Sequence, residues 1–173
     1  MDIIFQIALI ILPAGAVLLT SIFFLRKSIE RDLLTSNMEM KKERQTFFLP
    51  LRVDAYQRAI LLMERIHPNS LVMRMNNPGM PAAAMQVKFL EAIREEYEHN
   101  IAQQMYISPQ SWELVKKAKE ETIKVINMAG QQMETTSMAM DLNAKIFEIT
   151  AEVGELPSEI AVKILKEEIQ RLF

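Results

Sequence analysis

The chain has 173 residues, of which 50% are apolar, 24% charged and 7% aromatic, and its formal net charge is −2. That length suits one modest domain, and the even charge lacks the basic surplus of a general nucleic-acid binder. The sequence has no cysteine, which excludes disulfides, thiolate nucleophiles and cysteine metal sites, and its four glycines leave little for phosphate-cradling loops or a turn-rich β fold.

Residues 3–25 form an uncharged run, IIFQIALIILPAGAVLLTSIFFL. A bilayer core requires about 20 apolar residues at about 1.5 Å rise each, so the run predicts a transmembrane helix. Pro13 and Gly15 fall mid-span, where membrane helices tolerate a kink. A cleaved signal peptide would need a basic start and a shorter apolar core. Met1-Asp2 supplies no such start, and the run continues past Ala14-Gly15-Ala16, so a retained anchor is expected. Arg26, Lys27 and Arg31 follow directly. Positive flanks stay inside, which predicts a single-pass protein with its N-terminus outside and residues 26–173 cytoplasmic.

The remainder reads as helical, giving an all-α fold. Residues 1–25 are the anchor, 26–48 a juxtamembrane helical stalk, and 50–173 a cytoplasmic bundle of four to five helices. Ile29, Leu33, Met40 and Phe47 approach a heptad seam on the stalk, interrupted by Ser36 and Glu43. Leu49-Pro50 is expected to break the helix, because the residue before proline avoids the helical region. Pro50 then opens a helix to about residue 66, with Val53, Tyr56, Ile60 and Met63 inward and Ala59, Leu62 and Ile66 widening the face. His67-Pro68-Asn69-Ser70 ends it, and the short apolar stretch 71–73 follows.

Residues 76–81, NNPGMP, give the strongest turn signal in the chain. A helix from about Pro81 to Met105 carries the stripe Val87, Leu90, Ile93, Tyr97, Ile101, Met105, with Met85, Phe89 and Ala92 as a second apolar side. Ser108-Pro109 caps and starts the next helix, whose inward face is Leu114, Val115, Ala118, Thr122, Val125 and Ala129. Gly130 and residues 131–137 form either a weak break or more helix. A helix over 139–153 ends at Gly154, and Leu156-Pro157-Ser158 opens the last, with the seam Val162, Leu165, Ile169 and Leu172.

Catalytic patterns are sparse. Two Glu-x-x-His pairs, Glu64/His67 and Glu96/His99, have the spacing used in di-iron bundles, with Glu113, Glu120, Glu148 or Glu152 available to complete a set. The stripe centred on Val87–Met105 places His99 opposite the interior and Glu96 well off it, so no metal site is expected. No Gly-x-Ser-x-Gly turn, Walker loop or dinucleotide glycine motif occurs. The reading is of a non-enzyme with no cofactor, no small-molecule substrate and no nucleic-acid partner.

Two features point to partners. Residues 26–74 carry 10 basic and 6 acidic side chains, whereas residues 75–173 carry 10 basic and 15 acidic. Anionic lipid attracts the basic part. The acidic part offers a surface to a cytoplasmic protein, although ordinary solvation of a helical surface accounts for the same charges. Met73, Met75, Met80 and Met85 group around the turn, and Met128, Met133, Met138 and Met140 around the weak break. Methionine fills irregular core gaps and also suits adaptable binding surfaces. The contact region assigned from sequence is Met73, Met75, Asn76, Asn77, Pro78, Gly79, Met80 and Pro81.

LRVDAYQRAILLMERIHPNSLVMR (51–74), NNPGM (76–80), IREEYEHNIAQQMYIS (93–108) and WELVKKAKEETIKVIN (112–127) together resemble a family of uncharacterised, single-pass membrane-anchored proteins of Bacteroidota, a domain of unknown function. The resemblance implies a bacterial inner-membrane location and carries no catalytic residues. The function expected is a scaffold, adaptor or accessory subunit of a larger inner-membrane complex, held by residues 3–25 in the bilayer and contacting a protein partner. Alternatives are a self-associating homo-oligomer built through the stalk and last helix, a metal-dependent helical-bundle enzyme, and a lipid-surface sensor using residues 26–44.

Overall fold

The computed structural model describes residues 2–171, with side chains described from Gly15 onward. The fold is all-helical: six α-helices and no strands among the described residues. They are α1 (Asp2–Ile66), α2 (Pro68–Met75), α3 (Ala82–Asn100), α4 (Pro109–Gln131), α5 (Ala139–Val153) and α6 (Pro157–Gln170), with a 3₁₀ turn, Ile101–Met105, after α3. The chain divides into two compact units, Met1–Phe48 and Leu49–Phe173.

The first unit is helix alone. Every side chain from 15 to 48 is exposed, including Leu19, Phe23, Phe24, Ile29 and Leu33. Among the described residues no helix is long and apolar enough to cross a membrane. The transmembrane reading of residues 3–25 rests largely on residues 3–14, whose side chains lie outside those described. Leu172, the last position of the α6 seam, also lies outside them.

The expected break at Leu49-Pro50 does not occur: α1 is helical through both residues. Proline removes one backbone bond and crowds the preceding turn at a cost of about 3 kcal/mol. The residues that follow make that cost tolerable. Ala55, Tyr56, Ala59, Leu62, Met63 and Ile66 recur at steps of three and four, and all are fully buried. The pair Asp54–Arg58 closes at 2.8 Å on the outside.

A helix absent from the sequence reading follows. Pro68 does not merely terminate α1; as first residue of α2 it begins a new two-turn helix that buries Leu71 and Val72. With α2 counted, the second unit holds more helices than the four to five expected.

Helix α3 shows the largest correction. It ends at Asn100 rather than Met105, and its core face is Ala82, Met85, Phe89 and Ile93. Val87, Ile101 and Met105 of the expected stripe are exposed, Met105 by 76%. Ile93 of that stripe is buried, Leu90 and Tyr97 pack on the core, and the expected second side supplies Met85 and Phe89, so the buried face is turned toward that second side, where a large ring is worth more than Val87.

Helix α4 packs against α2, α3, α5 and α6. It runs unbroken through Gly130 to Gln131 and buries Trp112, Val115, Ala118, Thr122, Val125, Ile126 and Ala129. Trp112 stacks on Tyr97 with ring centroids 5.9 Å apart, and Lys119 Nζ sits 4.3 Å from the Tyr97 ring centre. Gly154 ends α5 at φ 76°, a left-handed conformation that favours glycine.

The register of α3 has a direct check. Phe89→Ala should lower the unfolding free energy by about 3–5 kcal/mol in urea titration, whereas Val87→Ala should change it by less than about 0.5 kcal/mol. Equal losses at the two positions would restore the Val87-centred face.

Candidate functional site

The turn at 76–81 and the stretch 132–138 lie far apart in sequence and side by side in the fold. Ala139 N–H donates to the Met80 carbonyl at 2.8 Å, and Ala82 N–H donates to the Ser137 carbonyl at 2.9 Å, forming a β-bridge between Pro81 and Met138. Each segment is also ordered internally. Asp141 reaches back from the third position of α5 to accept the Met138 N–H at 2.8 Å, and Ser137 Oγ accepts from the Glu134 N–H.

Side chains reinforce the joint. Asn143, buried on α5, donates to Asn76 Oδ1 at 2.9 Å, while its own Oδ1 has no partner among the described residues. Gln86 of α3 donates to Asn127 Oδ1 of α4 at 3.0 Å. Gly130 permits that approach, since a β-carbon there would overlap the Gln86 amide. The two interruptions around which the methionines group therefore adjoin, through residues 80–82 and 137–139.

The contact residues read from the sequence fall into two sorts. Asn76, Asn77, Pro78, Gly79 and Pro81 are exposed, and Met73 is 75% exposed. Met75 and Met80 are half-buried and pack on the core. Across the bridge, Met138 and Met140 are exposed, Met140 by 63%, while Met133 packs inward. A rigid backbone joint thus carries unbranched, deformable apolar side chains, a combination suited to moulding against an apolar protein surface.

The four residues weighed as metal ligands do not converge. Glu64 and His67 line one groove, with His67 Nε2 3.6 Å from Glu159 Oε1. His99 is exposed. Glu96 is 18% exposed and accepts from Arg65 at 2.6 Å and from Arg74 at 3.2 Å, tying α3 to α1 and α2. At about 100° per residue Glu96 falls on the side of the buried set Ala82, Met85, Phe89 and Ile93, so its expected position well off the centre of the Val87–Met105 stripe no longer places it away from the interior. No group of three or more histidine and carboxylate side chains able to hold a metal occurs among the described residues.

A second polar cluster was not anticipated. Ser108 caps α4 by accepting the Ser111 N–H at 3.2 Å, and its hydroxyl donates to Glu168 of α6 at 3.0 Å. Ser111 Oγ also donates to Glu168. The buried Tyr56 hydroxyl lies beside the same carboxylate, outside regular hydrogen-bond geometry. Burial pushes the Glu168 carboxyl up, but Ser111, Ser108, Tyr56 and the Arg52 charge outweigh it and hold the group below its ordinary 4.5. Burial, and then Glu168, raise Tyr56, which keeps its proton at neutral pH. The cluster joins α1, α4 and α6. The signal was present in the sequence, since Glu168 adjoins the seam residues Leu165 and Ile169, and Asn143 likewise adjoins Leu142.

The chain matches the family of unknown function DUF7935 over residues 2–172 and belongs to it. No curated protein matches the chain, and no solved structure does.

Two measurements test these arrangements. Asn143→Ala should cost about 1 kcal/mol and should speed amide exchange at Ala82 and Ala139 more than at Val115. A lowered carboxyl stabilises the fold above its unfolded value and loses that contribution as pH falls through the folded value. Glu168→Gln should therefore be less stable than wild type at about pH 7, with the gap narrowing in denaturant titrations as the pH falls below the ordinary carboxyl value of 4.5; a gap independent of pH would contradict the clamp.

Proposed function

We propose that this DUF7935 member is a non-enzymatic, single-pass membrane protein whose helical unit serves as a scaffold, adaptor or accessory subunit of a larger inner-membrane complex. The observation that carries the reading is the joined surface at 76–81 and 138–140, where exposed methionines stand on a backbone fixed by two interloop hydrogen bonds. Presenting apolar side chains on a preordered backbone limits the entropy lost on association.

Anchorage is supported by the uncharged run 3–25 and by the exposure of Val17, Leu18, Leu19, Phe23, Phe24 and Leu25 along its latter half. Such a row of apolar side chains around a helix favours lipid as its surroundings. Arg26, Lys27 and Arg31 support an orientation with residues 26–173 at the cytoplasmic face.

A second reading, self-association, draws on the stalk. Ile29, Leu33, Met40 and Phe47 approach heptad spacing, and all four are exposed.

Purification of the intact chain from membranes in lipid nanodiscs tests both. The expected result is a stoichiometric protein partner whose recovery falls about tenfold in the double variant Met73→Glu, Met140→Glu, with the melting temperature unchanged, as removal of central apolar anchors requires. A partner retained by that variant would move the contact elsewhere. A self-associated chain weakened by Leu33→Glu and Phe47→Glu would favour the second reading. A monomer without a partner would overturn both, and recovery of the intact chain in the carbonate-soluble fraction would overturn the anchor.

A further inference from the structure

The chain carries 13 methionines and no cysteine, so thioether sulfur is the only sulfur it offers to an oxidant. A two-electron oxygen donor converts methionine to its sulfoxide, which turns a flexible apolar side chain into a polar one, and methionine sulfoxide reductases reverse the change. Access decides which sulfurs react. Met63 and Met85 are fully buried, and Met75, Met80 and Met133 are half-buried and pack on the core. Met73, Met138 and Met140 are exposed.

These three exposed sulfurs belong to the joint between the two interruptions. Met138 lies in the bridge opposite Pro81. Met140 follows Ala139, whose N–H is held by the Met80 carbonyl. Met73 stands in the last turn of α2, three residues before Asn76, which Asn143 bonds. Backbone groups, the Asp141 carboxylate and the Asn143 and Asn76 amides hold this joint. An oxygen added to an exposed thioether therefore changes the chemistry of the surface and leaves the backbone beneath it in place. Met105 and Met128 are also exposed, but on the 3₁₀ turn and on α4, and they serve as internal controls.

We propose that Met73, Met138 and Met140 form a reversible oxidation site, and that their conversion to sulfoxides by a peroxide releases the protein partner from this surface. The device rests on the partner contact proposed above for the same methionines. In the forward step a sulfur lone pair attacks one oxygen of hydrogen peroxide, the O–O bond breaks and an S–O bond forms. The departing hydroxide takes the remaining proton and leaves as water, so sulfur loses two electrons and the peroxide gains them. A dithiol acting through a reductase returns the thioether, giving water and a disulfide. Pressing a sulfoxide against an apolar partner buries a polar oxygen without a hydrogen bond, which is costly. The partner covers the same sulfurs, so the bound chain reacts more slowly than the free one.

The test treats the intact chain in nanodiscs with hydrogen peroxide, maps added oxygen by mass spectrometry and follows partner recovery and melting temperature. Met73, Met138 and Met140 should gain oxygen before Met63 and Met85, with the melting temperature unchanged. Partner recovery should fall about tenfold and return after treatment with methionine sulfoxide reductases and dithiothreitol. The triple variant Met73→Leu, Met138→Leu, Met140→Leu keeps apolar side chains of similar volume without an oxidisable sulfur. It should bind the partner and hold it through peroxide, whereas Met105→Leu, Met128→Leu should lose it as wild type does. A partner retained when all three sulfurs are oxidised, a loss that the reductases do not reverse, or an equal loss in the triple variant would overturn the oxidation site and leave the contact standing. An untreated chain without a partner would overturn the contact, and the release with it.

Discussion

The second unit depends on the burial of α4. One helix that packs against α2, α3, α5 and α6 must present apolar surface around much of its circumference, and Trp112, Val115, Ala118, Thr122, Val125, Ile126 and Ala129 supply it. Such a helix gains much from burial and little from where its ends lie, because non-directional apolar contact fixes separation better than it fixes sliding or rotation. The directional interactions sit at the two ends. Ser108, Ser111 and Glu168 tie its N-terminus to α6, and Asn127 with Gly130 set its approach to Gln86 of α3. The polar groups define register, and the apolar groups supply most of the stability.

This division explains what was legible in the sequence. The caps and stops of α4, α5 and the start of α6 were readable because Ser108-Pro109, Gly154 and Pro157 act locally, the Ser108 hydroxyl on a backbone N–H three residues on and the glycine and prolines through their own backbone. Helix α2 was hidden because a proline after a helix both ends one helix and can begin another, and only tertiary burial of Leu71 and Val72 shows which role dominates. Pro50 was misread in the opposite sense, since a local preference lost to the packed face that follows it. The face of α3 was ambiguous in principle. Two apolar sets share the helical period, and the partner that selects Met85, Phe89 and Ile93 comes from elsewhere in the chain.

The same limit applied to the candidate site. The turn at 76–81 announces itself by composition, and its exposure follows from its polarity and prolines. Its pairing with 137–139 is carried by backbone groups, which have no residue signature. Sequence could therefore group the methionines around two interruptions without revealing that the interruptions adjoin. Glu96 shows how such an error spreads. An incorrect stripe centre displaced its expected position, and with it the role as acceptor for Arg65 and Arg74.

Methionine side chains adapt to many contours, so a contact built from Met73, Met138 and Met140 would gain breadth of fit and give up discrimination. The backbone beneath works in the other direction. The bonds from Ala139 to Met80 and from Ala82 to Ser137, with Asn143 on Asn76, hold the two segments in one arrangement. Deformable side chains on a fixed backbone would confine the ordering entropy of binding to side-chain rotamers.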